Sequence, residues 1–206
     1  LPVPTENPLT HEAVALGRLL FHDERLGGRS CMSCHGQFEV AEAWAGDSSA
    51  SPLLNLGYRL CVVGNPHHDA LEDCVRAAWQ GAGLHHELES RGALEELAAL
   101  PAYAGLFHEA FGTEPTEAAV TAALASWLRT RVSGRSAFDL WYRGDETAAT
   151  ESVRRGVAAF RSLGCRACHA PPLFTDDRRR RAPSCGQAGL AAAPARAPTP
   201  AAVPNP

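Results

Sequence analysis

Long apolar runs are missing from this chain of 206 residues. No run approaches the ~20 consecutive apolar residues that a membrane-spanning helix requires, so we expect no membrane span. A net positive charge is missing too, since the formal charge is −4. The net charge of the chain therefore does not attract nucleic acid or an anionic membrane. Sustained polar–apolar alternation is also absent. With 45% hydrophobic residues, the chain is therefore predicted to be globular and mostly α-helical, with little strand.

The beginning of the chain lacks the features of a targeting segment. It starts at Leu1 rather than Met, and neither a basic n-region nor an apolar h-region follows. We therefore expect any secretion signal to have been removed or left out. The compartment has to be inferred from the chemistry of the chain.

Two copies of the pattern C-x-x-C-H organise what the sequence does contain. They consist of Cys31, Cys34 and His35, and of Cys165, Cys168 and His169. In this pattern the thiols can form thioethers with haem vinyl groups, and the histidine can bind the iron. The alternatives are a zinc site, whose knuckles normally lie about 15–20 residues apart, and a thioredoxin-like redox pair. These copies are more than a hundred residues apart and lie in no strand–helix alternation.

The two motifs therefore predict two covalently bound haem c groups. Haem is attached to C-x-x-C-H outside the bacterial cytoplasm, which favours a periplasmic location. Three cysteines remain, Cys61, Cys74 and Cys185. Cys61 and Cys74 could form a disulfide or could be two buried free thiols, and the sequence does not decide between these alternatives.

Helical periodicity precedes both motifs. Thr10 is a plausible N-cap for a first helix with an apolar stripe, and Thr116 to Arg131 is the clearest helix, with Val120, Leu124, Trp127 and Leu128 on one face. Further helices are predicted over 71–79, 93–100, 101–111 and 151–163. The predicted domains are residues 1–145, residues 146–177 as the start of a second haem domain, and a disordered Arg/Ala/Pro-rich tail at 178–206.

Further short segments lie around the motifs: Asn7-Pro8-Leu9-Thr10, Leu16 to Leu26, Leu71-Glu72, Phe138-Asp139 to Asp145, Arg155-Gly156 and Pro171 to Asp177. Together with the first C-x-x-C-H, these segments resemble the bacterial di-haem cytochrome c peroxidase and MauG superfamily. Asn65-Pro66 is similar to the MbnH-like branch. The resemblance implies cytochrome c-like domains, of which the second is incomplete and carboxy-terminally truncated here.

The resemblance also implies a function. His35 would hold the haem that reacts with hydrogen peroxide, and His169 would hold a second haem fed by a small donor protein, a cytochrome c or a cupredoxin. Glu87 matches the family's distal acid–base residue, and Asn55 matches a calcium ligand. A MauG-like alternative uses the same haems to oxidise a protein substrate.

Three departures leave other readings open. The family's inter-haem tryptophan appears as Val63, a helix glutamine appears as Cys74, and no His, Met or Tyr follows His169 to provide a sixth ligand. An electron-transfer cytochrome without catalysis and an inactive truncated remnant therefore remain alternatives.

Overall fold

The computed structural model describes residues 2–35, 53–59, 61–62, 67–81 and 87–177, apart from the side chains of Cys34, Cys61, Val62, His67, Gly81 and residues 87–91. This part of the chain is mostly helical, as predicted, and none of its helices is long and apolar enough to cross a membrane. The chain divides into two compact units, residues 1–133 and 134–206.

Within its described residues, the first unit contains six helices and one short pair of strands. The helices are α1 (His11–His22), α2 (Cys31–His35), α3 (Leu71–Gly81), α4 (Glu87–Ala99), α5 (Pro101–Phe111) and α6 (Glu117–Thr130). Short 3₁₀ turns lie at Glu24–Leu26 and Leu56–Tyr58. The strands β1 (Cys61–Val62) and β2 (His67–His68) pair antiparallel, with Cys61 opposite His68.

Side-chain caps explain where the main helices begin. Thr10 accepts a hydrogen bond from the Ala13 N–H at 3.1 Å, and Thr116 does the same for Ala119 at 3.1 Å. Pro101 occupies the first turn of α5, where its missing N–H costs little. Gly112 ends that helix with φ 68°, a left-handed conformation that favours glycine. The predicted starts of α1, α5 and α6 are confirmed.

Helices α1 and α6 form the centre of the core. Leu16 and Leu20 of α1 and Val120 of α6 are fully buried, and the predicted apolar face of α6 is buried as a whole. Gly17 lets the helices approach closely, because a Cβ there would lie 1.9 Å from the Ala123 carbonyl oxygen. This approach fixes where the end of α1, and the first haem motif beyond it, leaves the core.

A buried polar network links the amino-terminal arm to α3 and α6. Arg129 donates two hydrogen bonds to Glu72, at 2.6 and 2.8 Å, while Asn7 donates to the same carboxylate at 2.6 Å. Burial alone would raise the pKa of Glu72, but the hydrogen bonds from Arg129 and Asn7 outweigh it, and the pKa is lowered. Glu72 is therefore ionised and neutralises a guanidinium that is only 4% exposed.

The second unit contains α7 (Ala137–Tyr142), α8 (Glu151–Ser162) and a 3₁₀ turn at Cys165–Ala167. Ser136 and Asp139 form a capping box for α7, and Thr150 caps α8. Among the described residues of this unit, only Ala149 is buried. The aromatic side chains instead surround a pocket, which is described below.

The structure refines several predictions made from the sequence. Helix α4 begins at Glu87 rather than near Ala93, and α7 groups with the second unit although the sequence placed it in the first domain. The domain assignment itself stays a prediction, and the tail at 178–206 lies outside the described residues. Cys74 is disulfide-bonded, which removes the reading of a free thiol there. Pairing with Cys61 stays a prediction, because the Cys61 side chain is not described.

Candidate haem sites

The first motif forms the short helix α2 directly after a glycine turn. Gly28 has φ 68°, and Ser33 donates a hydrogen bond to the Ser30 carbonyl at 2.7 Å, which closes the turn. Positions 31 and 35 are four residues apart and therefore share one face of the helix. Cys31 is half-buried, is not in a disulfide and packs against the core, so its thiol suits a thioether bond.

Phe21 of α1 lies beside the His35 imidazole and packs against Trp127 of α6. The Phe21 ring is centred 6.4 Å from the His35 ring and 4.3 Å from the Trp127 ring. The Arg131 guanidinium carbon lies 5.4 Å from the Trp127 ring centroid, a cation–π arrangement. The apolar environment expected around a haem ligand is therefore present, and Trp127 is part of it.

The second motif holds its histidine through a backbone carbonyl. Nδ1 of His169 lies 3.0 Å from the carbonyl oxygen of Phe174, and the Phe174 N–H in turn donates to the Ala170 carbonyl at 2.8 Å. Because a carbonyl oxygen can only accept, Nδ1 carries the proton and Nε2 keeps a lone pair. A histidine that binds iron through one ring nitrogen generally donates from the other in this way. Cys165 and Cys168 are not in disulfides.

A pocket of about 240 Å³ lies beside this motif. Its apolar lining consists of Phe138, Val153, Gly156, Val157, Phe160, Pro171 and Phe174. The Phe174 ring centres lie 5.1 Å from Phe138 and 5.8 Å from Phe160. Sites for small molecules have volumes of roughly 300–1,000 Å³, so the described residues would form only part of a haem site.

Gly156 is the residue of α8 that leaves this pocket open. Nothing lies within 4 Å of the position where its Cβ would be. Glycine in a helix interior costs about 1 kcal/mol relative to alanine, and the missing side chain leaves this part of the pocket wider. Both motifs, with their apolar surroundings, fit haem.

The two other predicted site residues have different outcomes. Glu87 is the first residue of α4, but its side chain is not described, so its acid–base role stays a prediction. Asn55 has φ 63°, accepts from the Ser133 N–H at 2.9 Å, and donates to the Ser133 hydroxyl at 2.7 Å. Both ends of its amide therefore tie two segments of the first unit together. Among the described residues, no group of three or more His, Cys, Asp or Glu side chains could hold a metal ion.

A hydrogen-bonded cluster fixes the end of α1 just before the first motif. The Tyr103 hydroxyl donates a short hydrogen bond to Asp23, and Arg25 binds the same carboxylate at 2.6 Å. Burial raises the pKa of Tyr103, and the neighbouring Asp23 raises it further, so the hydroxyl remains protonated and continues to donate. Burial opposes the charge of Asp23, yet its pKa is lowered by Tyr103 and Arg25. This cluster holds the chain where it turns towards Cys31.

Sequence reasoning missed four of these contributions. The Phe174 carbonyl carries no side-chain signature, and the Tyr103 contact spans 80 residues. Gly156 in the middle of α8 was only a weak signal for the pocket, because other helices of this chain also contain glycine. The family match at Leu71-Glu72 pointed to an important carboxylate without indicating that its partner is Arg129.

Comparison with known proteins places these sites in context. The family described as di-haem cytochrome c peroxidase matches residues 11–147. The chain is 38% identical to the methylamine utilization protein MauG of Methylorubrum extorquens over 199 residues, covering 86% of this chain and 54% of that protein. It is 34% identical to the cytochrome-c peroxidase IdrP1 of Denitromonas iodatirespirans, covering 86% of this chain and 52% of that protein.

A solved structure is similar as well. It is the crystal structure of a MauG-like protein associated with microbial copper homeostasis, with a TM-score of 0.69 and 26% sequence identity. The match covers 88% of this chain and 60% of that one. The chain spans about half the length of the curated relatives it matches.

Proposed function

This chain belongs to the di-haem cytochrome c peroxidase family, and from that premise we propose that it is a c-type di-haem oxidoreductase that reduces hydrogen peroxide. The reduction would take place at the haem on His35, with electrons delivered through the haem on His169. The observation that carries the proposal is the second motif, where the Phe174 carbonyl leaves Nε2 of His169 for iron beside an apolar pocket.

The residues of the chain would have distinct tasks. Cys31 and Cys34 would attach the first haem, and Cys165 and Cys168 the second. Bound haem supplies an iron that can react with peroxide oxygen and exchange electrons. Around the first iron, the protein contributes the ligand His35 and the apolar packing of α1 and α6.

Glu87 is the proposed proton donor and acceptor above the first haem. Cleavage of a peroxide O–O bond requires a proton at the departing oxygen, and a carboxyl whose charged form is disfavoured by burial can provide and take back that proton. Glu87 is the first residue of α4. The test of this role is Glu87→Gln.

The remaining parts of the proposal concern the surroundings of the protein. We place it in the periplasm, because c-type haem attachment occurs outside the cytoplasm and the disulfide at Cys74 suits an oxidising compartment. The electron donor would be a small cytochrome c or cupredoxin. Asn55 would bind calcium through its side-chain oxygen, which has a second lone pair beside the one that accepts the Ser133 N–H.

The proposal is tested on the full chain produced with a haem-attachment system. A pyridine haemochrome assay should count two c-type haems, and Cys31→Ser/Cys34→Ser and Cys165→Ser/Cys168→Ser should each remove one. Peroxide should then oxidise a reduced donor catalytically. Two haems that do not react with peroxide would instead favour an electron carrier and contradict the peroxidase.

The matched control for Glu87 is Glu89, a carboxylate two residues further along the same helix. Glu87→Gln should lower the rate of peroxide turnover by about 10²-fold or more, as expected for loss of a general acid–base group. Glu89→Gln should leave the rate unchanged. Equal rates for both variants would remove Glu87 from the mechanism, while the haem count would remain at two.

A further inference from the structure

Two arginines that line the pocket of the second unit have no acidic partner. They are Arg161 and Arg166, and within the described part of the chain neither guanidinium makes a hydrogen bond or an ion pair. Other arginines of the unit are used differently. Arg154 pairs with Glu146 at 3.5 Å, and Arg155 pairs with Glu151 at 2.6 Å.

The sequence around these arginines keeps their charge uncompensated. Between residues 156 and 175 there are two arginines and no Asp or Glu. The next two residues, Asp176 and Asp177, are acidic, and both are engaged in interactions of their own. The carboxylates before this stretch are already engaged, for example Asp139 in the cap of α7. The second motif therefore lies in a segment of positive charge, although the whole chain carries a net charge of −4.

An exposed apolar side chain lies between the two arginines along the chain. Leu163, which ends α8, is 78% exposed, far more than the other exposed large apolar residues of this unit. Two residues later, Cys165 begins the haem motif. Arg161, Leu163 and Arg166 together are called the arginine–leucine surface below.

The place of this surface relative to a haem follows from the chemistry of attachment. Thioethers form at the vinyl edge of the porphyrin, and the propionates lie at the opposite edge. Arg166 lies between the two thioether cysteines in the chain, so it belongs to the vinyl edge and is poorly placed to neutralise a propionate. A contact on this surface would bring a partner next to the edge of the second haem.

We propose that the arginine–leucine surface is the docking site for an electron-donor protein that carries acidic residues around its own redox centre. This inference rests on the proposed function and adds the charge of the donor to it. Unpaired rim charges steer a partner of opposite sign and raise the association rate, while a small apolar centre suits a weak, transient complex. On contact, the donor metal would be oxidised by one unit, and the haem held by His169 would take up that one electron.

The test uses the di-haem full chain and two soluble cytochromes c as probes, one acidic and one basic. Binding is measured by calorimetry at low and high salt with all haems oxidised. Electron transfer from each reduced probe is measured by stopped flow without peroxide, so the result does not depend on peroxidase activity. The acidic probe should bind more tightly and react faster, and both advantages should fall as salt is added.

Variants locate the effect. Arg161→Gln/Arg166→Gln should lower the association rate of the acidic probe about tenfold and flatten its salt dependence. Arg135→Gln removes an exposed charge of the same unit that does not line the pocket, and it should change the rate little. Reduction by a small uncharged hydroquinone should be the same in wild type and in Arg135→Gln, which checks that the control variant leaves the haems reducible.

Three results would overturn the proposal. One is a preference for the basic probe, and another is an equal effect of Arg135→Gln and Arg161→Gln/Arg166→Gln on the association rate. The third is loss of haem, or a shifted midpoint potential with unchanged salt dependence, in Arg161→Gln/Arg166→Gln. That result would mean that the arginines hold the porphyrin itself.

Discussion

Gly17→Ala should be among the most damaging one-carbon changes in this protein. The new Cβ would lie 1.9 Å from the Ala123 carbonyl oxygen and 2.9 Å from Cβ of Trp127, whereas real Cβ contacts essentially never fall under 3.0 Å. Helices α1 and α6 would have to separate by the difference, about 1.1 Å at the oxygen. The obstacle is backbone, so no side-chain rotation can relieve it.

The energetic cost follows from that separation. A gap of 0.5–1 Å forfeits roughly a quarter to a half of each dispersion contact across the interface, and overpacking of a core typically costs about 1–3 kcal/mol. Alanine's better helix propensity returns at most ~1 kcal/mol. We expect a net loss of about 2 kcal/mol in the free energy of unfolding.

Gly105→Ala in α5 is the matched control. Nothing lies within 4 Å of its Cβ position, so only the gain in helix propensity applies, and this variant should be more stable by about 0.5–1 kcal/mol. Both free energies are measured by urea unfolding of the full chain, followed by far-ultraviolet circular dichroism. Opposite signs are expected. If Gly17→Ala were as stable as Gly105→Ala, the close packing of α1 on α6 would be wrong.

Three further predictions follow from other contacts. Glu72→Gln leaves the buried Arg129 charge without its counter-ion and should lower the free energy of unfolding by about 3 kcal/mol at neutral pH. Because the pKa of Glu72 is lowered in the folded state, this difference from wild type should shrink as the pH falls below the unfolded pKa of about 4.3 and through the folded pKa. Urea unfolding at several pH values measures the difference. Gly156→Leu should fill the pocket and reduce the haemochrome count from two to one, whereas Gly92→Leu, at an uncrowded position in α4, should keep two. Tyr103→Phe removes a hydrogen-bond donor from the Asp23 carboxylate at the end of α1. The pKa of Asp23 should therefore rise towards its ordinary value in an NMR titration, and an unchanged pKa would contradict the hydrogen bond.

Local features of this chain could be predicted from the sequence. The caps Thr10 and Thr116, and the proline and glycine at the ends of α5, act over three or four residues, so their signals are contained in short windows. The buried face of α6 was predicted for the same reason, because its apolar residues recur at helical spacing. The haem motifs are equally local.

Contacts between distant segments could not be predicted. The pairing of Glu72 with Arg129 spans 57 residues, and neither position differs in type from an ordinary surface charge. The start of α4 was placed too late because Gly92 interrupts its pattern, although tertiary contacts carry the helix through that glycine. The acceptor for His169 is a main-chain oxygen, which every residue in the sequence has.

The main-chain acceptor for His169 is retained when the residue that carries it is substituted. Substitutions at Phe174 can reshape the aromatic side of the pocket, yet they leave the carbonyl that orients His169 in place as long as the loop keeps its path. Phe174 thus contributes to the site in two ways. A substitution changes its ring, which lines the pocket, but it does not remove its main-chain carbonyl, which orients His169. Descendants of this chain could therefore vary the shape of the site while the chemistry of the iron ligand remains unaltered.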